Sequence, residues 1–240
     1  FSTLVDVLDK ASQQSTKGIY FSHHKNPAEF LSYGELKQQA LAVSENWKNI
    51  GVKPQDKIIL QIEDNESFAI AFWACVFGRF IAVPLAFGTT QSHKQKLASI
   101  EKTLITPWIV IEDANRDHGC TIDDDRVLLL KKRQDVLEIE PSRIDSKPDD
   151  IAFIQFSSGS TGSPKGVTLT HTNIITNNIS TIEATKTTLN DTTFSWMPLT
   201  HDMGLIGFHI NPMMVGCDQY LMPTASFIRD SFFTFIKLIK

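Results

Sequence analysis

The segment from Ser157 to Gly166 places small, hydroxyl-bearing and cationic residues side by side, in the order Ser-Ser-Gly-Ser-Thr-Gly-Ser-Pro-Lys-Gly. It directly follows an apolar run, 151–156, which predicts a buried strand. Gly159 and Gly162 let the backbone adopt positive φ and approach a ligand closely. Hydroxyl groups, successive backbone amides and one lysine are donors that suit a polyphosphate. The segment therefore predicts a phosphate-binding loop.

This loop has two competing interpretations. A Gly/Ser linker or a hairpin turn has a similar composition, but linkers seldom follow a buried strand and rarely place Pro-Lys-Gly after two spaced glycines. A Walker P-loop requires Gly-x4-Gly-Lys-Ser/Thr. Here Pro164 precedes Lys165 and Gly166 follows it. The sequence thus excludes a Walker loop and favours a phosphate-handling loop of another kind.

A second segment with polar side chains follows the next predicted strand and reads Trp-Met-Pro-Leu-Thr-His-Asp-Met-Gly-Leu-Ile-Gly over 196–207. A lone histidine between a strand and a helix, such as His201, is more often structural than functional. Among the other histidines, we expect His171 to lie on the surface and His209 to be packed in an apolar helix. The acidic run 123–125 predicts a solvated turn rather than a metal site.

Strand-like and helix-like segments alternate along the chain. Ser32 and Glu35 have the spacing of a capping box, and the helix that they open stops at Gly51. The strand-like runs are continuously apolar, as in parallel strands that are covered on both faces. The sequence predicts an α/β fold with mixed, largely parallel sheets flanked by helices. Later predictions are a helix over 173–184 capped by Thr172, strands over 167–170, 193–196 and 218–222, and a last helix capped by Ser226.

The chain turns polar between Asp113 and Asp150, which suggests a boundary. We predict a first α/β subdomain over 1–148 and a second, incomplete subdomain over 149–240 that carries the phosphate loop.

Bulk composition excludes several classes of function. Twenty-three basic and 27 acidic residues give a formal charge of -4, which argues against binding to nucleic acid or to an anionic membrane. The apolar stretch 68–87 is interrupted by Gly78, Arg79 and Pro84, so it predicts a buried helix followed by a strand and no membrane span. The three cysteines are far apart, which argues against a zinc site or disulfide framework and favours a reducing, cytoplasmic location.

The segment 155–167, Gln-Phe-Ser-Ser-Gly-Ser-Thr-Gly-Ser-Pro-Lys-Gly-Val, resembles the phosphate-binding signature of the adenylate-forming superfamily. That superfamily includes acyl-CoA synthetases, luciferases, peptide-synthetase adenylation domains and fatty acyl-AMP ligases. Phe-Leu-Ser-Tyr-Gly-Glu-Leu over 30–36 and the passage 74–85 resemble earlier parts of the same fold. The resemblance covers nearly the whole chain and implies the N-terminal portion of the superfamily's large domain.

The run His-Asp-Met-Gly-Leu over 201–205 is similar to that of fatty acyl-AMP ligases, modules of which begin lipopeptide and polyketide assembly lines. Thr200 departs from the tyrosine that many members carry. The resemblance implies that ATP and Mg²⁺ activate a fatty acid or other carboxylic acid. The acyl group then passes to the phosphopantetheine thiol of an acyl carrier protein, in the same polypeptide or another.

The resemblance also implies residue roles. Lys165 and His201 would be the catalytic residues, with Lys165 following the pyrophosphate and His201 orienting the acyl-phosphate region. The residues that bind the nucleotide phosphates would be Ser157, Ser158, Gly159, Ser160, Thr161, Gly162 and Lys165. Thr161 would also lie near the metal. The substrate-side residues would be His201, Asp202, Met203 and Gly204.

Alternatives remain open at this point. One is an acyl-CoA synthetase or an amino-acid adenylation domain, and another is an inactive binding or scaffold domain that retains the loop. The superfamily supplies further essentials later in its chain, including an acidic metal ligand, a ribose-binding aspartate and a C-terminal lysine. None is recognised within 1–240, so we expect the isolated chain to be an inactive fragment.

Overall fold

The computed structural model describes residues 1–22, 27–88, 90–112, 122–131, 133, 145–158 and 164–229. The helices in this part are α1 Leu4–Ala11, α2 Tyr33–Ile50, α3 Asn65–Gly78, α4 Gln91–Leu104, α5 His171–Thr185, α6 Asn211–Val215 and α7 Thr224–Arg229, with a 3-10 turn Asp124–Arg126 and a π-helix Met203–Ile210. The strands are β1 Gly18–Phe21, β2 Glu29–Ser32, β3 Lys57–Gln61, β4 Ile81–Pro84, β5 Trp108–Glu112, β6 Val127–Leu130, β7 Ile151–Ser158, β8 Pro164–Thr170, β9 Thr192–Ser195 and β10 Asp218–Leu221.

Within these ranges the strands form two sheets. The larger has the order β6-β5-β3-β4-β7-β8, in which β8 alone runs antiparallel to its neighbour. The smaller has the order β2-β1-β10-β9, in which β2 runs antiparallel to β1 and the other pairs are parallel. The predicted α/β fold with mixed, largely parallel sheets flanked by helices is confirmed.

The main core lies between the two sheets. It joins Ile19 of β1 with Ile58 and Leu60 of β3 through α1, α2 and α3. Ile59, between those two β3 residues, points to the opposite face and packs with α4. This alternation puts a core on both faces of β3, which explains its continuous apolar sequence. Helix α3 is buried all round, as expected of a helix without a polar face.

Local sequence signals placed some helix ends correctly and missed others. The Ser32–Glu35 capping box is present, and Gly51 ends α2 in the left-handed conformation. The predicted cap of α5 at Thr172 is wrong, because Thr170 accepts the Asn173 backbone N–H there. Ser226 lies inside α7 and does not cap it. Elements α1, β1 and β2 were not predicted.

Each sheet draws strands from both sides of residue 148. The ranges 1–148 and 149–240 stay a prediction about domain limits, and in the described part they do not correspond to separate sheets. The stretch 68–87 forms most of α3 and then β4, as predicted. Among the described residues, no helix combines the length and apolar character needed to cross a membrane.

Candidate functional site

The predicted phosphate loop connects the two strands of an antiparallel hairpin. Strands β7 and β8 pair from Ile151 opposite Thr170 to Ser158 opposite Pro164. The loop was expected to span Ser157–Gly166, but both ends of that range belong to strands. Residues with turn-like composition continue the ladder of backbone hydrogen bonds when a partner strand is available. A hairpin and a phosphate site are therefore compatible interpretations of the same segment.

Two of the predicted phosphate-binding residues lie opposite each other at the mouth of this hairpin. Ser157 pairs with Lys165 across the two strands, and both residues are exposed. Directly opposed residues have Cβ atoms about 5 Å apart, so a hydroxyl and an ammonium group can meet one anion here. Ser158 continues β7, but its side chain and residues 159–163, including Gly159, Ser160, Thr161 and Gly162, lie outside the described part.

A hydrogen bond ties the hairpin to the histidine segment. Gln155 of β7 donates from Nε2 to the carbonyl oxygen of Thr200, at 3.2 Å. Gln155 is two residues before Ser157, and Thr200 directly precedes His201. The structure thus brings the two predicted halves of the site to the same region, although the bonded residues are 45 positions apart in the chain. This agrees with the tendency of ligands in α/β folds to bind at the carboxyl ends of parallel strands.

His201 and Asp202 form a mostly exposed pair at the start of the π-helix. His201 Nδ1 lies 2.6 Å from Asp202 Oδ1, and the two side chains are 59% and 66% exposed. Asp202 also accepts the Met203 backbone N–H at 2.7 Å, which caps the helix. The Met203 backbone N–H also donates to His201 Nδ1, at 3.3 Å, so both contacts lie at that ring nitrogen and Nε2 is the ring atom that remains to face a ligand. This geometry suits a positioning role for His201.

Gly204 makes a close backbone contact at the same place. A Cβ added to Gly204 would overlap the carbonyl oxygen of Pro198, and it would lie 2.8 Å from that carbonyl carbon and 3.0 Å from the Met197 oxygen. The start of the π-helix therefore packs directly on the turn that follows β9. This contact requires a residue without a side chain. The sequence predicted Gly204 as a substrate-side residue, a role that stays a prediction, and the packing role was not foreseen.

Four fully buried side chains from separate elements form a line of hydrogen bonds behind this segment, here named the buried relay: Trp73, His209, Gln219 and Tyr33. Trp73 Nε1 lies 2.9 Å from His209 Nε2, and His209 Nδ1 lies 2.9 Å from Gln219 Oε1. Gln219 donates to the Tyr33 hydroxyl at 2.8 Å, which donates to the Cys217 carbonyl oxygen at 2.6 Å. Burial lowers the pKa of His209 to about 4.

The histidines show what sequence reasoning could and could not find. His209 is packed, as predicted, but its hydrogen-bond partners were missed because Trp73 lies 136 residues away. The expectation that His171 lies on the surface is wrong. It is 3% exposed, and its Nδ1 accepts the Leu4 backbone N–H at 3.2 Å, because the first residue of α1 lies against the first residue of α5. Burial lowers the pKa of His171. The apolar run around His209 indicated its burial, whereas no local signal in the sequence distinguishes His171 from a surface histidine.

Comparison with known proteins identifies relatives of the whole chain. The family model described as "AMP-binding enzyme" matches residues 9–240. A medium-chain-fatty-acid–[acyl-carrier-protein] ligase of Teredinibacter turnerae is 46% identical over 250 residues, covering 84% of this chain and 38% of the ligase. A fatty acid AMP ligase from Legionella pneumophila has a solved structure with a TM-score of 0.85 and 26% identity, covering 99% of this chain and 42% of that one.

A third relative is another solved structure. The structure of McyG A-PCP complexed with phenylalanyl-adenylate has a TM-score of 0.85 and 29% identity, and it covers 100% of this chain and 39% of that one. The chain spans about two fifths of the length of the curated relatives that it matches. The matched family and the fold shared with the two solved structures agree with each other. The chain belongs to the family of AMP-binding enzymes.

Proposed function

We propose that the complete protein joins a fatty acid to AMP, using ATP, and passes the acyl group to the phosphopantetheine thiol of an acyl carrier protein. The observation that carries the proposal is the meeting of two segments, the Ser157–Lys165 hairpin mouth and the His201 segment, through the Gln155–Thr200 hydrogen bond. The names of the Teredinibacter and Legionella relatives support fatty acids as the substrate class and a carrier protein as the acceptor.

In the proposed first step, a carboxylate oxygen attacks the α-phosphate of ATP. A bond forms between that oxygen and the α-phosphorus, and the bond from the α-phosphorus to the bridging oxygen breaks, so pyrophosphate carries the electron pair away. Lys165 lies exposed at the hairpin mouth, where its ammonium group would bind the leaving phosphates. Fixed positive charge at the place where negative charge develops stabilises the transition state. Ser157 would donate its hydroxyl to the same anion.

His201 would orient the acyl-phosphate group from the other side. Its Nδ1 is held by Asp202, so Nε2 would approach the substrate. Positioning of reacting groups is a large source of rate enhancement and requires no proton transfer. We therefore assign orientation of the substrate, and not acid–base chemistry, to His201.

Mg²⁺ would enter the site with the triphosphate, since this ion is usually held by substrate phosphates together with one or two protein oxygens. Exposed hydroxyl and lysine groups at the hairpin mouth fit the phosphates of such a complex. Thr161, the predicted residue near the metal, lies outside the described part. In the second proposed step, the thiol loses its proton to solvent and its sulfur bonds to the acyl carbon, while the bond from that carbon to the phosphate oxygen breaks and AMP leaves with the electron pair. A place in a lipopeptide or polyketide assembly line and a cytoplasmic location belong to the same proposal.

A second candidate function is amino-acid adenylation, which the similarity to the phenylalanyl-adenylate complex favours. The experiment is ATP–pyrophosphate exchange by the complete protein with medium- and long-chain fatty acids compared with the amino acids. It is followed by transfer of radiolabelled acyl groups to a carrier protein or to free coenzyme A. We expect exchange with fatty acids and transfer to the carrier protein. Exchange with amino acids alone would contradict the proposed substrate, and transfer only to coenzyme A would contradict the proposed acceptor.

A further inference from the structure

We propose that His209 is a positioning residue that fixes the register of the π-helix and, through it, the orientation of His201 and Gly204. The inference rests on the proposed function, because it assigns a part of that site to a residue remote from the substrate. Its basis is the geometry of the buried relay, the backbone contact at Gly204 and the unusual helix that joins them.

The relay has one direction of donation along its whole length. The indole Nε1–H of Trp73 can only donate, so His209 Nε2 must accept and the ring proton must lie on Nδ1. That proton then donates to Gln219 Oε1, and the Gln219 amide donates to the Tyr33 hydroxyl and to the His209 carbonyl oxygen, the latter at 3.1 Å. Each group has one role, so the His209 ring has one hydrogen-bonded orientation.

A polar relay in this position is costly unless it is complete. Each of its four side chains is buried, and an apolar residue of similar volume would avoid the desolvation of polar groups. Buried polar groups that are fully paired specify one arrangement of a core, whereas apolar side chains tolerate several. The relay therefore contributes specificity of packing between α3, β10 and the π-helix more than stability.

The relay holds the π-helix, and the register of this helix determines where the substrate-side residues lie. His209 lies near the end of the eight-residue π-helix, and Gly204 lies near its beginning. π-Helices are rare, and most of them are single-turn bulges that are often found at functional sites. A change of one residue in helical register would turn the preceding side chains toward another face of the helix. His209 is anchored on two sides at one end and Gly204 is packed on Pro198 at the other, so the helix is fixed at both ends. The Leu205 backbone N–H of this helix donates to the His201 carbonyl oxygen at 2.9 Å, which ties His201 to it.

The test compares three variants of the complete protein. His209→Leu replaces the ring with an apolar side chain, and Trp73→Phe keeps an aromatic ring but removes the single donor to Nε2. Ile100→Ala is the matched control, because Ile100 is equally buried but packs on the opposite face of the larger sheet. KM for the fatty acid and KM for ATP are measured separately, together with Tm.

We expect both relay variants to raise KM for the fatty acid by about tenfold, because they leave buried polar groups unpaired and misplace the His201 segment. KM for ATP should change less than twofold, because the β7–β8 hairpin belongs to the larger sheet, whereas the relay strand β10 belongs to the smaller one. Ile100→Ala should lower Tm without changing either KM more than twofold. If an active wild type and its relay variants have the same KM for the fatty acid, the inference is wrong. A wild type that makes no acyl-adenylate refutes the proposed function itself, and the inference with it.

A second measurement does not depend on activity and covers the case in which His209→Leu fails to fold. Imidazole ¹⁵N chemical shifts of the chain should show His209 as a pure Nδ1–H tautomer at neutral pH. In Trp73→Phe the Nδ1–H tautomer should persist, because Gln219 Oε1 still accepts from Nδ1, and the Nε2 shift should change through loss of its donor. An Nε2–H tautomer in the wild type would overturn the relay as described.

Discussion

Gly204→Ala is the substitution that most sharply tests the packing of the π-helix on the turn after β9. The new Cβ would lie 2.8 Å from the Pro198 carbonyl carbon, about 0.6 Å short of the 3.4 Å at which ordinary contact begins, and it would overlap the carbonyl oxygen. The obstacle is backbone, which cannot rotate away as a side chain can. Overpacking of this kind costs about 2 kcal/mol, equivalent to a fall in Tm of about 6 °C in a domain of this size.

The functional loss should exceed the loss in stability. Displacement of the helix start by a sizeable fraction of an ångström moves His201, and a 1 Å error in position can cost about 100-fold in rate. Gly207→Ala is the control in the same helix, because its Cβ would meet no atom closer than Met203 Cγ at 3.9 Å. We expect that control to change stability by less than about 0.5 kcal/mol. Urea denaturation and adenylate formation are measured on both variants. Equal effects of the two alanines would refute the reasoning.

Three further predictions concern stability and reactivity. His209 has a pKa lowered from 6.5 to about 4, so the unfolded state binds the proton first, and stability should fall by about 3 kcal/mol as the pH drops from 6.5 to 4. Urea denaturation at several pH values checks this, and an undiminished fall in His209→Leu would contradict it. Thr170→Ala should lower stability by about 1 kcal/mol through loss of the α5 cap, as measured by thermal denaturation against Thr168→Ala. Cys75 and Cys217 are buried, which raises both pKa values, that of Cys217 to about 11. In a Cys120→Ser background they should react with a thiol reagent only on unfolding, and rapid labelling of the folded chain would show that the burial is wrong.

The fold class was predictable because its signals are local. The continuous apolar strands, the Ser32–Glu35 box and Gly51 each depend on a few neighbouring residues. The pairing of the strands could not be predicted from local signals. Strand β1 pairs with β10, about 200 residues later, and no property of the sequence Gly18–Phe21 indicates that partner. The cap of α5 was misplaced because Thr170 and Thr172 are both competent caps, and the choice depends on where β8 ends.

The candidate site was predictable in its parts but not in its assembly. The composition of the hairpin loop and the His201 run indicated the chemistry, because glycines, hydroxyls and a lysine have few other uses together. The Gln155–Thr200 bond that joins the two segments could not be inferred, since both residues are ordinary polar residues in the sequence. The buried relay could not be predicted from the sequence for the same reason. Its members are spread from Tyr33 to Gln219 and acquire their roles only by folding.

The binding of triphosphate at the hairpin mouth is the central claim, and single-turnover formation of acyl-adenylate by Lys165→Ala tests it most directly. Lys102→Ala is the matched control, because it removes the same charge from an exposed position on α4. Loss of one fixed charge on the leaving phosphates should slow adenylate formation by about 100-fold, with Tm unchanged and with the control at the wild-type rate. Adenylate formation by Lys165→Ala at the wild-type rate, with pyrophosphate released normally, would contradict the account.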